Sequence, residues 1–278
     1  MIRQRLRHET TIRRLRVTGT SRLTPAMVRI TLTGDELVGF SSLGPSDHVK
    51  VFFPDPATGI VTAPEVTADG IRRPTDAVII SRDYTPRGFR SDASGRPELD
   101  IDFVLHGLGA DAVGGGPASA WAAGAKPGDP LAVAGPRGSV LVPDAVAHVV
   151  LIADETALPA FSRWLELLPN ETRITAILDV ADDDAEEYVT AEQRARASIE
   201  WLYRIDGPGQ LDESVRSLDI TDDTYVWAAG EATALAPIRR YLRHELGLDR
   251  DRLSVEGYWK RGVTNLDHHA PIDPSDPD

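Results

Sequence analysis

The chain has 278 residues, 41% hydrophobic and 26% charged, with a formal net charge of −13 at pH 7 and no cysteine. That length predicts two compact domains, and the composition excludes disorder or a fibrous repeat for most of the chain. The acidic balance argues against a nucleic-acid partner, and the lack of cysteine excludes disulfides, thiolate metal sites and a cysteine-held iron–sulfur cluster, so any redox chemistry must ride on a bound organic cofactor.

Residues 1–16 are basic without the apolar stretch of a secretory signal, and no apolar run reaches the roughly 18 residues of a membrane span. A cytoplasmic location without a membrane partner is expected. Residues 12–20, 27–32, 48–53, 77–82, 99–105 and 131–134 read as short strands rich in Val, Ile, Leu and Phe, with Gly, Pro and Asp in the gaps. Such strands at irregular spacing predict a small antiparallel barrel, interrupted by a helix over 117–125 that opens on Pro117. From about residue 146 the texture changes. Strands at 148–153, 173–180, 199–203, 225–229 and 253–256 alternate with helical spacing at 157–168, 186–197 and 233–246, which predicts a parallel, doubly wound α/β sheet. The boundary is expected near Pro143, giving domains 1–143 and 144–264. Residues 265–278 are polar, acidic and proline-bearing and are expected to be a disordered tail; the adjacent His268 and His269 leave a metal-binding tail open.

Several segments carry chemistry. Arg82-Asp83-Tyr84-Thr85-Pro86-Arg87 follows an apolar strand, and its guanidiniums, ring and hydroxyl suit a flavin dinucleotide. On spacing alone it reads equally as an exposed turn with incidental charges. Gly116-Pro117-Ala118-Ser119 opens the barrel's helix, where free N–H groups and the Ser119 hydroxyl would make an anion site, with Gly114, Gly115 and Gly116 allowing close backbone approach. A flexible turn and helix cap is the other reading. Asp154-Glu155-Thr156-Ala157 joins the first strand of the second domain to a helix without a Gly-x-Gly turn, and Asp154 or Thr156 serves equally as a plain cap.

Taken in order, Asp47-His48-Val49-Lys50-Val51, Arg82 to Arg87, Asp102-Phe103-Val104-Leu105-His106-Gly107, Gly116 to Ala122, Asp154 to Ala160, Gly230-Glu231-Ala232 and Gly257-Tyr258-Trp259-Lys260-Arg261-Gly262 resemble the siderophore-interacting protein family. This is a branch of the ferredoxin-reductase superfamily, and the resemblance spans roughly residues 12–262. It implies an FAD-binding antiparallel β-barrel followed by an NAD(P)H-binding α/β domain. It further implies FAD contacts from Arg82, Asp83, Tyr84, Thr85, Arg87, Asp102, Phe103, Val104, His106, Gly116, Pro117, Ala118, Ser119 and Trp121. For His106 a satisfied strand-end histidine stays open, and for Trp121 a place in the core. Asp154, Glu155, Thr156 and Ala157 would meet the nicotinamide dinucleotide, the backbone of the last two at its diphosphate, with Gly230, Glu231 and Ala232 closing its nicotinamide side.

NADPH is the donor the resemblance favours. Asp179, Asp182, Asp183 and Asp184 leave NADH open, because carboxylates there hydrogen-bond a 2′-hydroxyl; the acidic run is read instead as the cap of the following helix. The implied activity is reduction of ferric siderophores by a monomeric enzyme with no metal ligands of its own, since the chelator already holds the iron. Lys50, Lys260 and Arg261 are the cations that would meet an anionic chelate, with solvated surface charge as the alternative. Two other readings remain: a general NAD(P)H:flavin or oxygenase-partner reductase on the same fold, and a flavin- or siderophore-binding module without turnover.

Overall fold

A computed structural model describes residues 3–75, 77–106, 116–207, 209–267 and 270–276. The chain divides into two compact units, one of residues 5–141 and one of residues 142 onward joined by Arg3 and Gln4.

The first unit contains β1 (Arg5–Arg7), β2 (Ile12–Thr24), β3 (Met27–Thr33), β4 (Val49–Phe53), β5 (Glu65–Thr67), β6 (Gly70–Arg72), β7 (Ile80–Tyr84), β8 (Pro86–Ser91) and β9 (Pro97–Val104). Helix α1 (Pro117–Gly124), β10 (Pro130–Ala134) and β11 (Gly138–Val140) complete it. Seven strands form one antiparallel sheet in the order β7-β4-β10-β2-β3-β9-β8. Its outermost strands, β7 and β8, are consecutive in the chain and separated by Thr85 alone, so the sheet must curl until its two edges meet there. The period-two pattern of β2 places Leu15 and Val17 in the core and Arg14 and Arg16 outside. Arg13 lies on the buried side, where its guanidinium covers the Phe40 ring and donates to the Gly135 carbonyl at 3.2 Å. Burial lowers its pKa.

The second unit runs β12 (His148–Ala153), α2 (Leu158–Leu167), β13 (Arg173–Val180), α3 (Ala191–Arg196), β14 (Ser198–Tyr203), α4 (Gln210–Arg216), β15 (Thr224–Glu231), α5 (Ala232–Arg240) and β16 (Leu253–Trp259). All five strands are parallel, ordered β14-β13-β12-β15-β16. Every residue of β12 is buried, as a central parallel strand covered on both faces requires. The chain winds outward from β12 through β13 to β14, then returns to the other side of β12 for β15 and β16. The order therefore reverses between β12 and β15, the switch point where open α/β sheets bind ligands.

The observed fold is thus the antiparallel barrel-type sheet and doubly wound parallel sheet expected from the sequence. Some elements differ. The helix expected over 186–197 is shorter: residues 183–188 form 3-10 turns and α3 starts at Ala191 behind a Thr190/Gln193 capping box. Asp182 makes no capping hydrogen bond, so the acidic run does not cap this helix. The helix expected over 233–246 is α-helical to Arg240 and continues as a π turn, Tyr241–Glu245, that keeps Tyr241 and Leu242 buried. The tail expected to be disordered is instead pinned to α5 and this turn. Asp276 accepts from Arg239 at 2.6 Å and from His244 at 3.0 Å, and Asp273 pairs with Arg240. His268 and His269 lie outside the described residues. Among the described residues no helix is long and apolar enough to cross a membrane.

Candidate functional site

In the barrel unit the seam at Thr85 gathers the motif residues. Tyr84 ends β7 and packs its ring 4.4 Å from Phe103 of β9 and 6.2 Å from Phe53 of β4; Trp121 of α1 lies 5.5 Å from Phe53 and 5.9 Å from Phe103. Phe103 is fully buried and Trp121 partly buried against the same core, so both rings build the wall behind the motif. The Tyr84 and Thr85 hydroxyls have no hydrogen-bond partner among the described residues, although Thr85 is only 7% exposed. Burial pushes the Tyr84 phenol well above its ordinary pKa, opposed by the Arg82 charge. The phenol is therefore a neutral donor at any working pH. Two unengaged hydroxyls on a rigid aromatic backing, with the Arg82 and Arg87 guanidiniums in the same segment, fit a flavin, which offers a flat ring to the wall and polar edges to the hydroxyls.

Other residues expected to touch the flavin are engaged internally. The Asp102 carboxylate, with no exposed side-chain surface, accepts from Arg29 Nε at 2.7 Å and Nη2 at 2.8 Å. It braces β9 against β3. The Ser119 hydroxyl accepts from the His106 N–H at 2.9 Å and bonds the His106 carbonyl at 3.3 Å, so it ties α1 to the end of β9. His106 itself is exposed. Val104 is partly buried at the end of β9, and Pro117 and Ala118 form the first turn of α1 behind Gly116. A Cβ at Gly116 would meet no atom of the described residues within 4 Å; Gly107, Gly114 and Gly115 lie outside the described residues. Lys50 and Asp83 face each other across β4 and β7, with Nζ 2.7 and 2.9 Å from the two carboxylate oxygens. Lys50 is therefore a neutralised cation, which weakens its expected part in meeting an anion.

In the α/β unit the turn after β12 closes on itself. The Asp154 carboxylate accepts from the Thr156 N–H at 2.9 Å and the Thr156 hydroxyl at 2.5 Å, and the Ala157 N–H donates to the Asp154 carbonyl at 3.0 Å. The backbone groups expected to meet a diphosphate are consequently engaged within a 3-10 turn. Glu155 points toward β13 and β14: its carboxylate takes two hydrogen bonds from Arg204, at 2.6 and 2.8 Å, and one from the Ala181 N–H at 2.5 Å. It braces the ends of β13 and β14. Glu231 caps α5 by accepting from the Ala234 N–H at 2.7 Å and also accepts from the Arg261 N–H at 3.1 Å. Ala232 is buried behind it. Gly230 has φ +151°, and a Cβ there would lie 2.7 Å from the Asp154 carboxylate.

Two features of this end escaped the sequence reading. Trp259 donates its indole N–H to Asp154 at 2.7 Å, and Arg204 bridges Glu155 and Asp179. The tryptophan stands inside the segment that supplied Lys260 and Arg261, yet only contact across the sheet reveals its partner. The Lys260 and Arg261 side chains make no ion pair among the described residues. They remain the cations available to an anionic ligand.

Two family profiles match in succession: a siderophore-interacting FAD-binding domain over residues 16–140 and a siderophore-interacting protein over residues 146–262. The NADPH-dependent ferric-chelate reductase of Escherichia coli K12 is 36% identical over 260 residues, covering 92% of this chain and 96% of that protein. The ferric vibriobactin reductase of Vibrio cholerae is 33% identical over 249 residues, 87% of each chain. A crystal structure of a siderophore utilization protein from T. fusca superposes with a TM-score of 0.83 at 43% identity, covering 97% of this chain and 100% of that one.

Proposed function

Because this chain belongs to the siderophore-interacting protein family, we propose that it is an FAD-dependent NADPH:ferric-siderophore oxidoreductase. The observation that carries the reading is the pair of unengaged hydroxyls, Tyr84 and Thr85, set on the aromatic wall at the barrel's seam. These two residues, with Arg82 and Arg87, would hold the flavin. The chemistry FAD supplies when bound is conversion of a two-electron hydride donor into a one-electron source for Fe(III).

The protein's own part is to bind and orient. The neutral Tyr84 phenol and Thr85 hydroxyl donate or accept at the ring system without a charge that would bias it, and Phe53, Phe103 and Trp121 keep water from the wall behind. Iron would arrive as cargo in its own chelator, so this reading asks for no metal ligands from the protein. One hydride from NADPH carries two electrons and so reduces two ferric ions, leaving NADP⁺ and a proton. Hard oxygen chelators hold Fe(II) more weakly than Fe(III), so electron transfer itself loosens the metal. Many such chelates are anionic, and Lys260 and Arg261 are the side chains placed to attract one to a protein of charge −13. In this reading the enzyme works as a cytoplasmic monomer with no nucleic-acid or membrane partner.

The test is anaerobic mixing of the FAD-loaded protein with NADPH and, separately, NADH, followed by a ferric siderophore and an Fe(II) trap. NADPH is expected to bleach the flavin absorbance, and the chelate to restore it as Fe(II) appears. Absence of bleaching with both nucleotides overturns the reductase, and bleaching without Fe(II) release overturns the substrate. Gel filtration of the same preparation should give a species near 30.2 kDa.

A further inference from the structure

We propose that Asp154 is a positioning residue that holds the Trp259 indole across the C-terminal end of β15 at Gly230, and that this ring, in place of a glycine-rich turn, is the wall on which the nicotinamide of the electron donor seats. The proposal rests on the reading of NADPH as donor.

The sheet geometry requires a bridging contact here. Asp154 follows β12 and Trp259 ends β16, and β15 lies between them. Adjacent strands stand about 4.8 Å apart, so the two residues begin roughly 10 Å from each other. Their hydrogen bond of 2.7 Å closes that gap over the end of β15. The residue beneath is Gly230, and a Cβ there would strike the Asp154 carboxylate at 2.7 Å. Its glycine is therefore what admits the bridge.

The bridge is fixed on both flanks of Gly230. On one side the Asp154 oxygens are divided, Oδ1 taking the Thr156 N–H and hydroxyl and Oδ2 taking the indole N–H. On the other, Glu231 accepts the Arg261 N–H while it caps α5. The segment 259–261 is thus held by a carboxylate on each side, with a flat ring at one end and the unpaired Lys260 and Arg261 beside it. This assembly stands at the switch point, where the sheet leaves room for a ligand. The usual anion cradle is not available there, since the Thr156, Ala157 and Leu158 N–H groups all bond within the turn 154–158. An aromatic face beside cations suits a flat heteroaromatic ring on an anionic carrier.

The bridge needs the ionised carboxylate. A proton on Oδ2 would turn it into a donor facing the indole donor, and the contact would be lost. Burial, then the Glu155 charge on the same turn, raise the Asp154 pKa to about 6, while the Thr156 and Trp259 bonds oppose them. The other charged groups around it are Arg204 beyond β14, Glu231 on β15, and Lys260 and Arg261 beyond β16. The donor site should accordingly loosen as pH falls through about 6.

The test uses FAD-loaded protein and NADP⁺ as probe, its affinity read by calorimetry from pH 5 to 8 for wild type, Asp154→Asn, Trp259→Leu, Trp259→Phe and the double variant Asp154→Asn/Trp259→Phe. Loss of a hydrogen bond to a charged group predicts about tenfold weaker binding for Asp154→Asn. Trp259→Leu should weaken it as much, with FAD content unchanged in both. Because the two residues act through one contact, the double variant should be no weaker than Asp154→Asn alone. Wild-type affinity should fall as pH drops through about 6, and this inflection should vanish in Asp154→Asn. Unchanged affinity in the single variants, additive losses, or an inflection that survives in Asp154→Asn overturns the proposal. If Asp154→Asn loses its FAD or fails to fold, Trp259→Leu and the wild-type pH series decide. A wild type that bleaches with NADPH but shows none of these effects refutes the seat and leaves the reductase standing. A wild type that binds no nucleotide refutes the donor reading and the seat together, and the difference in emission between wild type and Trp259→Phe, followed with pH, then reports whether Asp154 holds the ring at all.

Discussion

Lys50 and Asp83 stand opposite each other on β4 and β7, and the pair adds no net charge beside Arg82 and Tyr84. Removing the ammonium alone would leave a carboxylate next to the residues proposed to hold the flavin. Lys50→Ala is therefore expected to lower FAD affinity by a factor of a few, in keeping with the roughly 0.2–1 kcal/mol of a partly exposed ion pair. The double change Lys50→Ala/Asp83→Asn should recover most of the loss, and fluorescence titration of the apoprotein with FAD measures both. Equal FAD affinity in wild type and Lys50→Ala would show that Asp83 does not sense the flavin. Residue types were legible in the sequence at this scale, but partners were not. In the segment Arg82 to Arg87 the mixture of cations, ring and hydroxyl was visible, but by itself it read equally as a turn, and only the ordered set of motifs pointed to a flavin. Nothing in the order of residues said that Asp83 would answer Lys50, or that Asp102, Ser119, Glu155 and Glu231 would be engaged by neighbours within their own units. A carboxylate that braces and one that binds look alike until the sheet register brings Arg29 or Arg204 to it.

Among the elements, strands covered on both faces were the most legible, because burial writes itself as unbroken apolar runs: β12 and β13 span the residues expected of them. Elements made by their partners were missed. Strand β8, with Pro86, Gly88 and two arginines, is a strand only because β9 pairs with it. Helix α4 buries just Leu211 and Val215, too little for a periodic signal. The N-terminal arm has the same character. Arg3 lies 5.3 Å over both the Trp164 and Tyr225 rings and donates to the Tyr225 hydroxyl at 2.6 Å, so a residue remote in sequence completes the α/β unit. Arg3→Ala should destabilise that unit by about 1–2 kcal/mol while leaving FAD content intact. Thermal unfolding followed by circular dichroism measures the first and flavin absorbance the second; an unaltered melting curve would show that the arm only rests on the surface.

For the molecule as a whole, the order of the motifs along the chain made the architecture legible, since each segment falls at a strand end or helix start of its own unit. Net charge was less informative. At −13 the chain should repel an anionic chelate, and several of the arginines that could counter this are held by carboxylates of the fold, as Arg29, Arg204, Arg216 and Arg239 are. What remains for a ligand is local.

The single residue that separates β7 from β8 gives the barrel a further property. Thr85 is both the joint between the sheet's outermost strands and one of the two hydroxyls proposed to meet the flavin, so on that reading the sheet cannot spread open without pulling those groups away from a bound ring. Cofactor escape and barrel melting should then be one event. On heating, the flavin emission that appears when the ring reaches water is expected to rise at the temperature where the barrel's own signal is lost, and to be indifferent to changes such as Arg3→Ala in the other unit. Emission that rises well before any loss of structure would show that the ring is held elsewhere. The flavin would thus serve as a built-in thermometer for one half of the chain.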